Sequence, residues 1–204
     1  MRIRLFDFRH GGEILERRPA YMELYDVVST IERADVLAAQ TAYLEEGKRV
    51  PAGGQSALNK VFRERLIPLG WRPEPRLFPF DERGLRKWKM DFIKDDIGVE
   101  VSFNHAEAIP WTFTRLNIAG ESERVLEGSR IDVGVAVFAT DSLKAWAKMD
   151  SAVGTFEVAE AWLSMMKPIM PIPILVLGLD AEGWTPTSVF RGTGKGSRTP
   201  SDEI

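Results

Sequence analysis

The run Asp91-Phe92-Ile93-Lys94-Asp95-Asp96-Ile97-Gly98-Val99-Glu100-Val101-Ser102 sets one acid nine residues ahead of a Glu-x-Ser inside an apolar stretch. Two carboxylates brought together by a strand pair can hold a hard divalent cation beside a phosphodiester. Mg²⁺ prefers oxygen ligands and keeps several waters, so two carboxylates, a backbone carbonyl and phosphate oxygens complete its shell. Asp91, Glu100 and the carbonyl of Val101 would supply the protein's share. An ion held there could orient and acidify a water for attack on phosphorus and neutralise charge on the leaving oxygen. The same spacing also fits two polar residues on the solvent face of a half-exposed hairpin, where most Asp and Glu residues lie. Spacing leaves both readings open.

The elements around these residues follow from periodicity. From Lys89 onward the apolar period is two, so Val99, Val101 and Phe103 share one strand face while Glu100, Ser102 and Asn104 project from the other. Lys94-Asp95-Asp96 followed by Gly98 reads as a tight hairpin turn, which returns the chain antiparallel and sets Asp91 near Glu100. The apolar runs 131 to 138 and 172 to 179 have the length of buried central strands, and residues 155 to 166 between them have a helical pattern. Upstream, residues 22 to 46 predict one amphipathic helix or two joined helices, and 56 to 66 a further helix with a charged outer face. Arg72-Pro73-Glu74-Pro75 is too proline-rich for a helix and predicts an extended connector. The expected fold is α/β (α+β), a mixed central sheet flanked by helices. The expected domain covers residues 1–182, with a Gly/Ser/Thr/Pro-rich tail over 183–204 that is mobile or folds against a partner.

Composition narrows the chemistry. With no cysteine and only His10 and His105, there are no thiolate ligands or cysteine nucleophiles and little material for a histidine zinc site. Any metal would be bound by oxygen. The net charge of −3 gives no whole-molecule electrostatic argument for nucleic acid, although a local basic cleft is compatible with it. No segment reaches the roughly 18 uninterrupted apolar residues of a membrane span, and the charged start Met1-Arg2-Ile3-Arg4 does not fit a signal peptide, so a cytoplasmic protein is expected.

The acidic pattern resembles the active site of nucleases in the PD-(D/E)XK superfamily, and within it that of the BglII-type restriction endonucleases. The likeness is carried in order by Met1-Arg2-Ile3, Phe8-Arg9-His10 with Glu13-Ile14-Leu15, Leu66-Ile67-Pro68 to Trp71, Asp91-Phe92 with Val99-Glu100-Val101 and Phe103, and Pro173-Ile174 with Val176-Leu177-Gly178-Leu179. It covers most of residues 1 to 180. It implies a restriction-endonuclease-like fold and a Mg²⁺-dependent, sequence-specific double-strand DNA endonuclease, in which Asp91 and Glu100 are the metal-binding catalytic carboxylates and Ser102 holds the third active-site position. Most of the superfamily has Lys there and the BglII-type branch has Gln, whereas Ser102 is short and uncharged and cannot supply a lysine's positive charge.

The resemblance also implies DNA contacts at Asn104 and His105 after the catalytic strand, at Arg115, and at Ser151 in the loop before the late helix. A structural role fits His105 equally well, and a solvated surface cation fits Arg115. Lys87 and Lys89, and Arg191, Lys195 and Arg198 in the tail, could meet phosphates, while Trp88, Trp111, Trp146 and Trp162 are expected in the core or an interface rather than stacked on bases. Cutting both strands of a palindrome calls for two sites on a two-fold axis, so the resemblance implies a homodimer; residues 22 to 46 and 155 to 166 are the candidate packing segments, and ordinary core fits either equally well. A cognate DNA methyltransferase is expected as a functional companion and not as a bound partner. The alternatives are a non-restriction nuclease of the same superfamily, a DNA-binding protein with a lapsed active site, and a structural or partner-binding domain.

Overall fold

Apolar runs long enough to be buried on both faces must sit in the middle of a sheet, and two such runs organise this chain. The computed structural model describes residues 1–46, 53–79 and 88–190. In chain order the elements are β1 (Arg2–Phe8), α1 (Gly11–Leu15), α2 (Pro19–Ser29), α3 (Arg33–Glu45), α4 (Gln55–Leu66), β2 (Arg72–Pro73), β3 (Phe92–Lys94), β4 (Ile97–Ser102), α5 (Ile109–Glu121), β5 (Val133–Ala139), α6 (Asp141–Trp146), α7 (Phe156–Met165) and β6 (Ile174–Asp180). Among the described residues the strands form one six-stranded sheet in the order β1-β6-β5-β4-β3-β2. β4, β5 and β6 are parallel to one another, while β1 joins β6 antiparallel and β3 joins β4 antiparallel. The mixed sheet flanked by helices is therefore as expected.

The period-two pattern sorts the side chains into two cores. Val99, Val101, Val135, Val137, Leu175 and Leu177 face α2 and α4, packing with Leu24, Leu58 and Phe62. Ala136, Phe138, Ile174 and Val176 face the other way, against Phe113 and Leu116 of α5 and Phe156 and Leu163 of α7. Contact of α7 with the sheet depends on Gly178, where a Cβ would lie 2.6 Å from the Phe156 ring. Gly178→Val should accordingly destabilise the fold by about 2–3 kcal/mol, the cost of overpacking a filled core; the check is a lowered urea midpoint at an unchanged slope.

Residues 22 to 46 resolve into two helices, α2 and α3, separated at Thr30–Glu32. Pro19 starts α2 at its first turn, where a missing N–H costs nothing. The Arg72–Pro75 connector contributes β2, a two-residue edge strand on β3. β1, α1, α5 and α6 do not follow from periodicity. β1 is an edge strand whose Arg2 and Arg4 ion-pair with Glu182 and Glu157, which suits an edge that must not pair further. Residues 183–190, read from sequence as the start of a tail, lie against the core: Phe190 is fully buried, and the rings of Trp184 and Phe190 stand 4.7 and 5.3 Å from that of Trp146. Arg191, Lys195, Arg198 and Lys87 lie outside the described residues.

Candidate active site

The hairpin that carries the acids forms as its turn residues dictate. Phe92, Ile93 and Lys94 pair with Val99, Gly98 and Ile97 across a turn at Asp95-Asp96. Asp95 takes a φ of +52°, the left-handed region that aspartate tolerates better than most residues. Continued by one residue, this register sets Asp91 opposite Glu100. A hydrogen bond fixes the corner, with the Val101 N–H donating to Asp91 Oδ2 at 2.7 Å. Asp91, Glu100 and Val101 are thus brought together.

Neither acid sits on a solvent-facing hairpin. Glu100 is 1% exposed because α5 folds back over β4 and covers the strand face from which Glu100 and Ser102 project. One helical turn of α5 meets two strand residues: Arg115 forks onto Glu100, with Nε donating to Oε1 at 2.9 Å and Nη2 to Oε2 at 2.6 Å. The Thr112 hydroxyl donates to Ser102 Oγ at 3.2 Å in a buried contact. Burial pushes the Glu100 carboxyl up to about 8; the Arg115 fork offsets part of that rise, and the neighbouring Asp91 charge adds to it. Asp91 is also raised by burial, with the Val101 N–H and then the Arg115 charge pulling the other way.

Asp91 and Arg115 line a cavity of about 250 Å³ together with Asn59, Arg63, Glu74 and Asn104. A wider groove of about 710 Å³ shares Asn59 and Asn104 and continues past Gln55, His105 and Asp150. Its far wall is held by backbone bonds from the segment after β4 to the loop before α7: Ala106 N–H donates to Ala152 C=O at 2.7 Å and Gly154 N–H to Asn104 C=O at 2.9 Å. That pairing places exposed Asn104 and His105 beside the loop carrying Ser151, which is exposed while its neighbours Asp150 and Val153 line the groove. Of the tryptophans, Trp146 packs internally with Phe190, whereas Trp111 is 57% exposed and touches Trp88 edge-on.

Several cleft residues had no signal that sequence reading used. Asn59 and Arg63 stand i, i+4 on α4 and share its cleft face, and on α5 Thr112 stands i, i+3 from Arg115, which the resemblance had named. Glu74 is the least expected. Its backbone is left-handed (φ +49°), its N–H donates to the Asp91 carbonyl at 2.9 Å, and its carboxylate is gripped by Lys89 at 3.0 Å and Arg63 at 3.2 Å. The Lys89 hydrogen bond and charge, with Arg63 adding, hold that carboxyl below its usual range. Lys89, considered as a phosphate contact, is therefore engaged with Glu74.

Carboxylate oxygens of Asp91 and Glu100 are donors that would fit a hard divalent cation and no soft one, and both Glu100 oxygens also accept from Arg115. Among the described residues no group of three or more His, Asp or Glu side chains is placed to hold an ion, so phosphate and water oxygens would have to complete the shell.

The family model for restriction endonuclease BglII/BglIII matches residues 3–179, a span that contains both acids and every cleft residue named above. The chain belongs to that family. Two solved structures share the fold. The crystal structure of BglII complexed with a DNA 16-mer superposes with a TM-score of 0.63 at 17% identity, covering 88% of this chain and 78% of that one. The crystal structure of free BglII gives 0.54, also at 17% identity, covering 88% and 79%. No curated protein matches the chain. Membership of the BglII/BglIII family makes this chain a sequence-specific DNA endonuclease of type II, as the sequence resemblance implied. No helix among its described residues is long and apolar enough to cross a membrane.

Proposed function

We propose that the protein is a cytoplasmic, Mg²⁺-dependent restriction endonuclease that hydrolyses phosphodiester bonds in both strands of duplex DNA as a homodimer. The observation that carries this reading is the corner at which Asp91, Glu100 and Val101 meet, fixed by the 2.7 Å bond from Val101 to Asp91 at the floor of a polar cleft. Asp91 and Glu100, with the Val101 carbonyl, would hold the ion. Bound there, Mg²⁺ supplies an acidified water and a counter-charge for the leaving oxygen. The chain's own part is to keep both acids fixed across a strand pair and to exclude solvent from Glu100. Asn104, His105 and the loop at Ser151 stand on one wall of the groove, where amide, imidazole and hydroxyl groups can read base edges.

A two-fold partner is supported by α7. Val158, Trp162, Met165 and Ile169 recur at helical spacing along the helix and the turn after it, all on the exposed side, with Met165 66% and Ile169 67% exposed. An apolar stripe of that kind is the usual mark of a protein interface.

Plasmid DNA of mixed sequence incubated with Mg²⁺ should give discrete fragments. A second reading, a DNA-binding protein with a lapsed active site, is favoured by one observation: the Ser102 hydroxyl is tied to Thr112 under α5. Duplex binding without cleavage in either Mg²⁺ or Mn²⁺ would establish that second reading and remove the first.

A pH prediction follows from Glu100. A protonated carboxyl is a poor ligand, and burial pushes this one up to about 8. Raising the pH removes the proton and frees the carboxylate, so cleavage at subsaturating Mg²⁺ should climb between about pH 7 and 9 and level off above. A profile flat across that window would count against Glu100 as a ligand.

A further inference from the structure

Hydrolysis of a phosphodiester gathers negative charge on the phosphoryl oxygens beside a site that already holds two carboxylates. Ser102 brings no charge to that site, and its hydroxyl is taken up by Thr112 at 3.2 Å in a buried contact. Arg63 lines the cleft, but it is exposed and paired with Glu74. Arg115 differs from both. Its side chain is about a quarter exposed and is anchored by a two-bond fork on Glu100, which uses two of the five guanidinium N–H groups. Among the described residues the other three have no protein acceptor, and Arg115 lines the cavity next to Asp91 and Asn104. A guanidinium held rigidly by one edge, with the other edge open to a cleft, is preorganised to donate to a phosphate oxygen.

The geometry points to Arg115 as the catalytic cation of this site: one edge fixes Glu100, and the opposite edge binds a non-bridging oxygen of the phosphodiester at the acidic corner. This rests on the nuclease reading above for its reaction and adds the residue that neutralises the phosphate. It also accounts for how a chain with serine at position 102 provides positive charge there. The charge comes from α5 across the strand rather than from β4 itself.

The test pairs a neutral phosphate with a neutral side chain. Duplexes of a cleaved sequence, or of a bound one if none is cleaved, carry a single methylphosphonate at each backbone position in turn, and their affinities are measured with Ca²⁺. For the unaltered protein one position should weaken binding by about tenfold, the worth of one charge-assisted contact. Arg115→Gln keeps a donor for Glu100 and lacks the charge, so it should bind unmodified duplex about tenfold more weakly, yet lose less than about twofold more on methylation at that position. Its salt dependence should fall by about one phosphate contact. Arg115→Lys, with matching circular dichroism and melting, serves as the folded control and should retain part of the coupling.

In cleavage assays, added guanidinium should restore part of the Arg115→Gln rate without changing its melting temperature. Equal methylphosphonate losses in the unaltered and Arg115→Gln proteins at every position would overturn the inference. Faster cleavage or tighter Mn²⁺ binding by Arg115→Gln would overturn it too, since Arg115 would then be competing with the metal. If the protein binds duplex and shows the coupling but never cuts, the phosphate contact stands and the nuclease reading is what fails.

Discussion

Asp91→Asn should leave plasmid DNA uncut under conditions in which the unaltered protein digests it, a fall in rate of about 10³-fold or more, because a bound metal contributes several kcal/mol of transition-state stabilisation. The substitution is chosen to spare the fold. The asparagine side-chain oxygen can still accept the Val101 N–H that Asp91 Oδ2 accepts at 2.7 Å, and the amide matches the carboxyl in size. What it loses is the negative charge and the ligand strength of a carboxylate. Melting and duplex affinity should change little, so the loss belongs to the chemical step. Glu100→Gln should behave alike on the same assay, although there Arg115 loses half of its fork as well. Retention of more than about a tenth of the rate in Asp91→Asn would remove the corner as the reaction centre, since a ligand worth several kcal/mol cannot be dispensed with at so small a loss.

The second large effect concerns the α7 stripe. Met165→Asp combined with Ile169→Asp should convert a dimer into a monomer on sedimentation, with cleavage of both strands falling by at least about 100-fold. Both side chains are two-thirds exposed in the single chain, so the substitutions remove nothing from the core. In a two-fold interface each charge would be buried twice without a partner, and an uncompensated buried charge costs about 3–5 kcal/mol. A monomer that retains folding should at most nick DNA. A unit that sediments unchanged would show that the stripe packs against something else or against nothing.

Much of the scaffold around the site was legible in the residues. Continuous apolar runs at β5 and β6 announce strands buried on both faces, and they lie at the centre of the sheet because only there are both faces covered. The Asp95-Asp96 turn and the alternation after it specify the β3–β4 hairpin and hence the approach of Asp91 to Glu100. Local rules sufficed because the partners are nine residues apart. β1 was not legible, since its pairing with β6 spans almost the whole chain and its alternation is masked by Arg2, Arg4 and Asp7. Nor was α5, where Thr112, Thr114, Ile118 and Gly120 are weak helix formers that tertiary packing overrides.

By itself, the sequence determined which residue types stand at which spacing: two acids across a hairpin, a hydroxyl where a longer polar side chain is usual, and a chain that folds as a mixed sheet between helices. Tertiary structure decided what those residues face. Folding α5 back across β4 buried Glu100, gave it Arg115 and tied Ser102 to Thr112, turning an exposed polar stripe into a charged corner behind a cleft. The same packing brought Glu74 from a proline-rich connector and Arg63 from α4 to its rim. Charges and hydrogen-bond partners depend on the approach of elements distant in the chain, and periodicity, which reports only the face a side chain takes on its own element, carries no record of that approach.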